Sequence, residues 1–183
     1  MKKRIEQYIE HIEDICGGEG RFFKITDEGE NPPITVVAYD DVPEPGCVTA
    51  FSYGLSLPSH PKWIHSRPEL VISVDSHDVS WPLALGEVIR TGRNKSAFIY
   101  GSIIHFGCRV SDESTMDSFL VYACTVLDEK DQKLILHDQP IQLAQLYPIY
   151  SSEADVIEHV GPHRFLLELG EKVFDPRRAA WKG

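Results

Sequence analysis

Apolar residues recur at helical spacing at the start of the chain. Between residues 5 and 15 they fall three or four positions apart, which places them along one face of an amphipathic helix. Gly17 and Gly18 follow directly and are typical helix terminators. We therefore predict an N-terminal helix that packs one face against a sheet.

Two further stretches carry helical signals. Apolar residues at i, i+4, i+7 and i+8 from Trp81 predict a middle helix that Asp78 or Ser80 caps and that ends near residue 92. Near the C-terminus, Ser152 and Asp155 form a capping-box pattern at the start of a helix that runs to residue 160. A Gly-Pro pair then separates it from a second short helix, so helices are expected at the start, middle and end of the chain.

The segments between these helices are rich in β-branched and aromatic residues and are bounded by Gly and Pro, as strands are. The runs at 97–106 and 119–127 are strongly apolar, which predicts strands buried on both faces. This pattern predicts an α+β fold, with a mixed, largely antiparallel sheet and flanking helices at the N-terminus, middle and C-terminus. The predicted strands are 34–39, 48–55, 69–75, 97–106, 119–127, 134–136 and a run from 141.

Length and composition predict one domain spanning residues 1–183. Hydrophobic residues make up 42% of the 183 positions, which is enough for one core. No apolar run reaches the roughly 18 residues that a membrane helix needs, and the N-terminal pattern lacks the apolar core of a signal peptide. We expect a cytoplasmic protein. Its four cysteines show no C-x-x-C spacing, so we predict neither a disulfide nor a zinc knuckle.

The chain is acidic, with 28 Asp and Glu residues against 18 Lys and Arg and a formal net charge of −10. Such a charge disfavours nucleic acid and anionic membrane surfaces and favours a basic partner. It also keeps a protein soluble, so the charge alone selects no function. The acidic clusters are Asp40, Asp41 and Glu44; Asp75 and Asp78; and Asp112, Glu113 and Asp117.

Three segments of the chain carry a resemblance to one known family. The first is CVTAFSYGLS at 47–56, followed after a Pro/His loop by RPELVISV at 67–74. The second is IQLAQLYPIY at 141–150, which leads into a helix opened by an acidic residue, and the third is VFDPRR at 173–178. In this order and spacing they resemble the suppressor of fused family, which has a final strand and an Asp-x-x-Arg ending at the third segment. The similarity extends from residue 34 to residue 178.

The resemblance implies a domain that acts by holding another protein, with no catalytic residue and no cofactor to transfer. Animal members of the family sequester a transcription factor. Stand-alone bacterial members of about this size are implied to be immunity proteins that neutralise toxins of polymorphic toxin systems. The present chain has the lone-domain length of the bacterial type.

The segment GLSLP at 54–58 is the nearest approach to a catalytic serine motif. It resembles a nucleophile elbow, in which the second glycine of G-x-S-x-G lets a helix pack behind the turn. Pro58 stands at the position of that glycine, so a nucleophile elbow is not expected. We therefore predict that Gly54 relieves a tight bend and that Ser56 hydrogen-bonds the backbone at a strand end.

A metal site is the main enzymatic alternative. Asp75, His77 and Asp78 place two carboxylates and an imidazole at a strand-to-helix junction, a set that suits a small metal-dependent hydrolase. The competing interpretation is that Asp78 caps the following helix. His159 and His163 are four residues apart, but the Gly-Pro pair between them breaks the helical geometry. We predict no metal and no cofactor.

Recognition of another protein is the favoured function. Trp63 lies outside any periodic pattern, so it is either an exposed anchor or a ring folded back on the sheet. We predict a non-enzymatic immunity protein for a basic toxin domain, with the metal-dependent hydrolase and a scaffolding or dimerisation subunit as alternatives. The oligomeric state stays open. The predicted partner-binding residues are Asp40, Asp41, Glu44, Trp63, Asp75 and Asp78.

Overall fold

A computed structural model describes residues 3–26, 31–136 and 139–183. The predicted order of helices at the start, middle and end of an α+β fold is confirmed. The helices are α1 (Arg4–Cys16), α2 (Ser80–Gly92), α3 (Ala154–Val160) and α4 (Pro162–Leu169), with 3-10 helices at Ser151–Glu153 and Gly170–Phe174. The strands are β1 (Arg21–Ile25), β2 (Ile34–Asp40), β3 (Val48–Tyr53), β4 (Arg67–Val74), β5 (Ile103–His105), β6 (Ser118–Ala123), β7 (Lys133–Leu136) and β8 (Gln139–Ile149).

Across the described residues, the strands form one mixed sheet in the order β1-β2-β3-β4-β8-β6-β5. Strand β8 is central: it has β4 along one edge, and β7 and then β6 along the other. Its pairing with β4 is parallel, and the remaining pairings are antiparallel. The prediction of a mixed, largely antiparallel sheet is therefore confirmed.

Helices cover both faces of the sheet. On one face, α2 buries Trp81 and Leu85 against the side chains of Leu70 and Ile72 on β4. Because side chains alternate along a strand, the residues between them point to the opposite face, where α1 and the C-terminal helices pack as two separate clusters. None of the described helices combines the length and the hydrophobicity that a membrane span requires.

Helix α1 follows its predicted pattern. Tyr8 and Ile12 are fully buried. Gly17, at φ 77°, ends the helix and donates its N–H to the carbonyl of Glu13. Glycine suits this left-handed position because it has no Cβ.

Three predictions about strands need correction, and one strand was missed. The expected long, buried strand at 97–106 is wrong: only Ile103–His105 is a strand, at the edge of the sheet, because the backbone turns at Phe98 (φ 50°) and Gly101 (φ 89°). Strand β6 ends at Ala123 instead of 127. The final strand that the resemblance implied at the start of 173–178 is wrong, since a 3-10 helix occupies Gly170–Phe174. Strand β1 was not predicted, because RFFKI does not alternate between apolar and polar residues.

Candidate functional site

Glu69 on β4 is fully buried, and its carboxylate organises the turn that follows β3. Its Oε1 accepts hydrogen bonds from the Gly54 amide at 2.8 Å, the Ser56 amide at 2.9 Å and the Ser56 hydroxyl at 2.7 Å. Its Oε2 accepts from the Ser52 hydroxyl at 2.6 Å. The prediction that Ser56 bonds the backbone is wrong, because its hydroxyl donates to this buried carboxylate. Ser56 is thus a structural residue of the turn.

Gly54 is required by the same turn, as predicted. Its φ of 132° is a conformation that side chains disfavour, and a Cβ would lie 2.8 Å from the carbonyl oxygen of Pro33. Burial raises the pKa of Glu69, although the hydrogen bonds from Ser52, Ser56 and Gly54 act to lower it. The GLS segment and the glutamate on the next strand are therefore one structural unit.

Glu153 and Arg178 form a second buried centre at the C-terminal end. Their side chains are 0% and 3% exposed, and two hydrogen bonds of 2.5 and 2.9 Å join the guanidinium to the carboxylate. The carboxylate also accepts from the backbone amides of Tyr150 at 2.9 Å and Trp181 at 2.6 Å. The bidentate pair ties the C-terminal segment to the start of the helical region.

The capping box predicted from Ser152 and Asp155 is wrong. Glu153 makes the reciprocal bond of such a box, to the amide of Tyr150. The helical region begins with the 3-10 turn Ser151–Glu153, earlier than the pattern indicated, so the acidic residue at its start faces Arg178.

An open cleft of about 560 Å³ lies on the α1 face of the sheet, where the cluster around α1 meets the cluster of the C-terminal helices. Its floor includes Ser73 near the end of β4, and its apolar walls include Val126 and Phe174. Four carboxylates and one ammonium group also line it, and we call it the acidic cleft. These charged residues are Glu44, Asp75, Glu171, Asp175 and Lys172.

Arg177 bridges two of the four carboxylates. Its Nη2 lies 3.0 Å from Asp75 Oδ2 and its Nε lies 3.0 Å from Asp175 Oδ1. Among the described residues, the carboxylates of Glu44 and Glu171 have no such partner, and both residues are exposed. Negative charge is thus concentrated on the outer rim of the cleft.

Cys47 lies at the bottom of the acidic cleft as a free thiol. Burial, followed by the charges of Asp75 and Glu44, raises the pKa of this thiol. Since the thiolate is the nucleophilic form, the surroundings of Cys47 oppose covalent chemistry. The other three cysteines also carry free thiols.

The predicted partner-binding residues fall into separate places. Glu44 and Asp75 line the acidic cleft. Asp41 lies on the same loop as Glu44, where its Oδ1 accepts from the Gly46 amide at 2.9 Å. Asp40 precedes them at the end of β2 and pairs with an arginine of β1 at 2.6 Å. Of the first acidic cluster, the structure therefore brings Glu44 into the acidic cleft with Asp75, and Asp40 and Asp41 lie outside its lining.

The metal-site alternative requires Asp75, His77 and Asp78 to converge, and they do not. No group of three His, Cys, Asp or Glu residues is arranged to hold a metal ion in the part of the chain that the structure describes. Asp78 instead accepts a hydrogen bond from the amide of Ser80, the first residue of α2, at 2.8 Å. The residue at the capping position is Val79, so the predicted cap by Asp78 or Ser80 is wrong, although Asp78 does bind the backbone at the start of the helix. The three side chains face Arg177, Asp41 and Ser111, respectively.

Trp63 is folded back on the sheet, the second of the two predicted alternatives. Its Nε1 donates to the carbonyl of Ala97 at 2.7 Å, and its ring packs against the main core. Trp63 lies near the start of β4 on the α2 face, whereas the acidic cleft lies near the end of β4 on the α1 face. It therefore belongs to a different surface.

Comparison with known proteins decides the family. The family model for suppressor of fused protein (SUFU) matches residues 30–179. The chain belongs to the suppressor of fused family. Among curated proteins, no sequence matches it.

Solved structures of SUFU proteins share this fold at low sequence identity. A SUFU homologue from Neisseria gonorrhoeae FA 1090 matches with a TM-score of 0.76 at 15% identity, over 97% of each chain. A chain of a Sufu–Fu complex matches with a TM-score of 0.70 at 13% identity, over 96% of this chain and 91% of that one. Drosophila Suppressor of Fused matches with a TM-score of 0.71 at 13% identity, and the match spans 96% of this chain but half of the Drosophila chain.

Sequence reasoning missed half of the acidic cleft of this SUFU domain. Glu171 and Asp175 come from the C-terminal segment and line the cleft only because that segment packs beside the end of β4, where Arg177 pairs with Asp75. The backbone link is the Asp75 amide, which donates to the carbonyl of Phe174 at 2.9 Å. The VFDPRR motif indicated that the C-terminal segment matters, but it did not indicate that the segment packs beside the end of β4.

Proposed function

We propose that this SUFU domain is a non-enzymatic immunity protein that binds a basic toxin domain in the cytoplasm through its acidic cleft. The supporting observation is the cleft itself, whose lining holds four carboxylates and one lysine. Arg177 pairs with Asp75 and Asp175, so the two carboxylates left without a cationic partner among the described residues are Glu44 and Glu171. The chain as a whole carries a net charge of −10. A cationic surface that approaches this side is attracted electrostatically, whereas an acidic surface is repelled.

The family supports a binding role. SUFU proteins form a family of protein-interaction domains, and one matched structure is a Sufu–Fu complex. What we transfer to this chain is the capacity to bind a protein. The identity of the partner is argued separately, from the charge of the cleft and from the resemblance to stand-alone bacterial members.

The cleft suits a protein surface because its charged groups lie at the rim and its apolar groups lie deeper, in the walls. Glu44 and Glu171 are exposed at the rim, while Val126 and Phe174 are partly buried in the walls. Rim charges mainly speed association, and buried apolar contacts mainly slow dissociation. A basic residue with a long aliphatic stem could place its charge beside the rim carboxylates and its stem against the apolar walls.

The hydrolase alternative has less support. Its three residues diverge toward separate partners, and Asp78 is engaged at the start of α2. A catalytic metal needs ligands that converge within about 2–2.6 Å of one point. We therefore retain the binding function alone.

The proposal requires a toxin domain encoded beside the gene, and co-expression with that domain tests it. The wild-type chain is expected to restore growth, and Glu44→Lys with Glu171→Lys is expected to abolish protection by repelling a basic partner. Glu129→Lys with Glu158→Lys is the matched control, since both glutamates are exposed and neither lines the cleft. Equal protection by both double variants would contradict the role of the cleft. Failure of the wild-type chain to protect or bind would contradict the immunity function.

A further inference from the structure

A second concave surface lies at the other end of β4. It is a groove of about 350 Å³ on the α2 face, and we call it the Trp63 groove. Pro68 of β4 and Ala144 of β8 contribute to its floor. Loop residues 62–66 and 98–100 form its walls, so the groove is separate from the acidic cleft in both position and lining.

The mouth of the Trp63 groove carries large apolar side chains in solvent. Ile64 is 80% exposed, and Ile99 and Tyr100 are 44% and 47% exposed. All three line the same groove, whereas a single exposed apolar residue would need no explanation. Grouped exposure of this kind is typical of interaction surfaces.

The wall of the groove is held in place before any partner arrives. Trp63 Nε1 is bonded to the Ala97 carbonyl at 2.7 Å, and the Trp63 amide donates to the His60 carbonyl at 3.0 Å. The His60 and Trp63 rings lie with centroids 5.2 Å apart. Because these bonds fix the loop, binding would cost little ordering of the protein.

The charge of the groove is opposite to that of the acidic cleft. Among its described lining residues, the side chains able to carry a positive charge are Lys62 and His65, and no carboxylate takes part. A rim whose described residues include a lysine, a histidine and no carboxylate stands out in a chain with a net charge of −10. We infer that the Trp63 groove binds an apolar peptide segment that carries an acidic residue beside its hydrophobic side chain.

A second copy of the chain fits this groove less well. In a symmetric contact, the same patch meets itself, so Lys62 and His65 would face their own copies. Like charges brought together in this way oppose association, whereas a carboxylate on a different segment is attracted. The inference is independent of the proposed immunity function, since it uses neither the acidic cleft nor the toxin.

Fluorescein-labelled peptides provide the test. Three short peptides share a Leu-Phe-Leu centre and differ in flanking residues, which are Glu, Lys or Ser, and binding is followed by fluorescence polarisation. The Glu-flanked peptide is expected to bind about tenfold more tightly than the Lys-flanked one. Lys62→Glu with His65→Glu is expected to reverse that order, and Lys130→Glu, on another exposed loop, is expected to preserve it.

The apolar part of the inference has its own pair of variants. Ile64→Ser is expected to weaken the Glu-flanked peptide by about tenfold. Leu167→Ser is the matched control, because Leu167 is 73% exposed but lies on α4. Equal binding of all three peptides, no binding of any, or equal losses in the two serine variants would overturn the inference. A dimer in sedimentation velocity that Ile64→Ser dissolves would also overturn it, by assigning the groove to a second copy.

Discussion

Glu69 and Glu153 are wholly buried, whereas Glu44 and Glu171 stand exposed at the rim of the acidic cleft. Each buried carboxylate accepts several hydrogen bonds from the chain itself. Among the described residues, the rim carboxylates accept none. The same functional group therefore serves the fold where it is enclosed and remains available to a partner where it is not.

The two buried carboxylates also differ from each other. Glu153 is neutralised by Arg178, whereas Glu69 is surrounded by neutral donors from Ser52, Gly54 and Ser56. Removing a charged partner from a buried site leaves an uncompensated charge, which costs more than losing a neutral hydrogen bond. The comparison therefore predicts a ranked series of stability losses, with the rim carboxylates last.

Arg178→Met should give the largest loss. It leaves Glu153 buried without a cation, and the expected decrease in the free energy of unfolding is about 3–5 kcal/mol by urea denaturation. Adding Glu153→Gln should recover much of that loss, because the charge is removed together with its partner. If the double variant were as unstable as the single one, packing around Arg178 would matter more than charge.

Gly54→Val should come second, with a loss of about 2–3 kcal/mol. The new Cβ would lie 2.8 Å from the Pro33 carbonyl, at a φ that valine disfavours. Gly18→Val is the control, since a Cβ there meets no atom within 4 Å. Thermal unfolding distinguishes the two, and equal melting temperatures would show that the turn tolerates a side chain.

Glu69→Gln should have a smaller effect, about 1 kcal/mol near neutral pH, because glutamine retains one oxygen for the turn amides. The raised pKa of Glu69 also predicts the direction in which stability changes with pH. The folded protein binds this proton more tightly than the unfolded chain does, so stability falls as pH rises from the ordinary value of 4.5 through the folded value. The wild type should lose stability relative to Glu69→Gln over that range. Urea titrations that show the wild type gaining instead would contradict the assignment.

Local sequence patterns correctly predicted the features that depend on neighbouring residues alone, such as the buried face and the end of a helix. The apolar face of α1 and the end of that helix at Gly17 follow from spacing and backbone freedom. The same reasoning misread 97–106, because apolar composition does not reveal that Phe98 and Gly101 take positive φ values. It also missed the pairing of Glu69 with the Gly54 turn and of Glu153 with Arg178. Those contacts depend on which strands and segments become neighbours, and a single sequence does not specify that.

The candidate site was predicted in part for the same reason. Asp40, Asp41 and Glu44 were recognised as one cluster because they are adjacent in sequence. Glu171 joins Glu44 only through the tertiary packing of the C-terminal segment. Trp63 was also predicted to bind the partner, and it lies on a separate groove.

Replacing both rim carboxylates, Glu44→Gln with Glu171→Gln, should have the smallest effect on the fold. The expected change in the free energy of unfolding is within about 0.5 kcal/mol, since both side chains are exposed. A loss as large as that of Glu69→Gln would mean that the rim carboxylates also serve the fold.

The central claim is tested most directly by the rate of association with the toxin domain encoded beside the gene. This rate is measured by stopped-flow fluorescence at several salt concentrations. For the wild type, the association rate constant should fall steeply between about 0.05 and 0.5 M salt, while the dissociation rate changes much less. The rim variant should associate more slowly at low salt and show a shallower salt dependence. Wild-type association that is indifferent to salt and unchanged by removing both rim charges would contradict electrostatic capture by the acidic cleft.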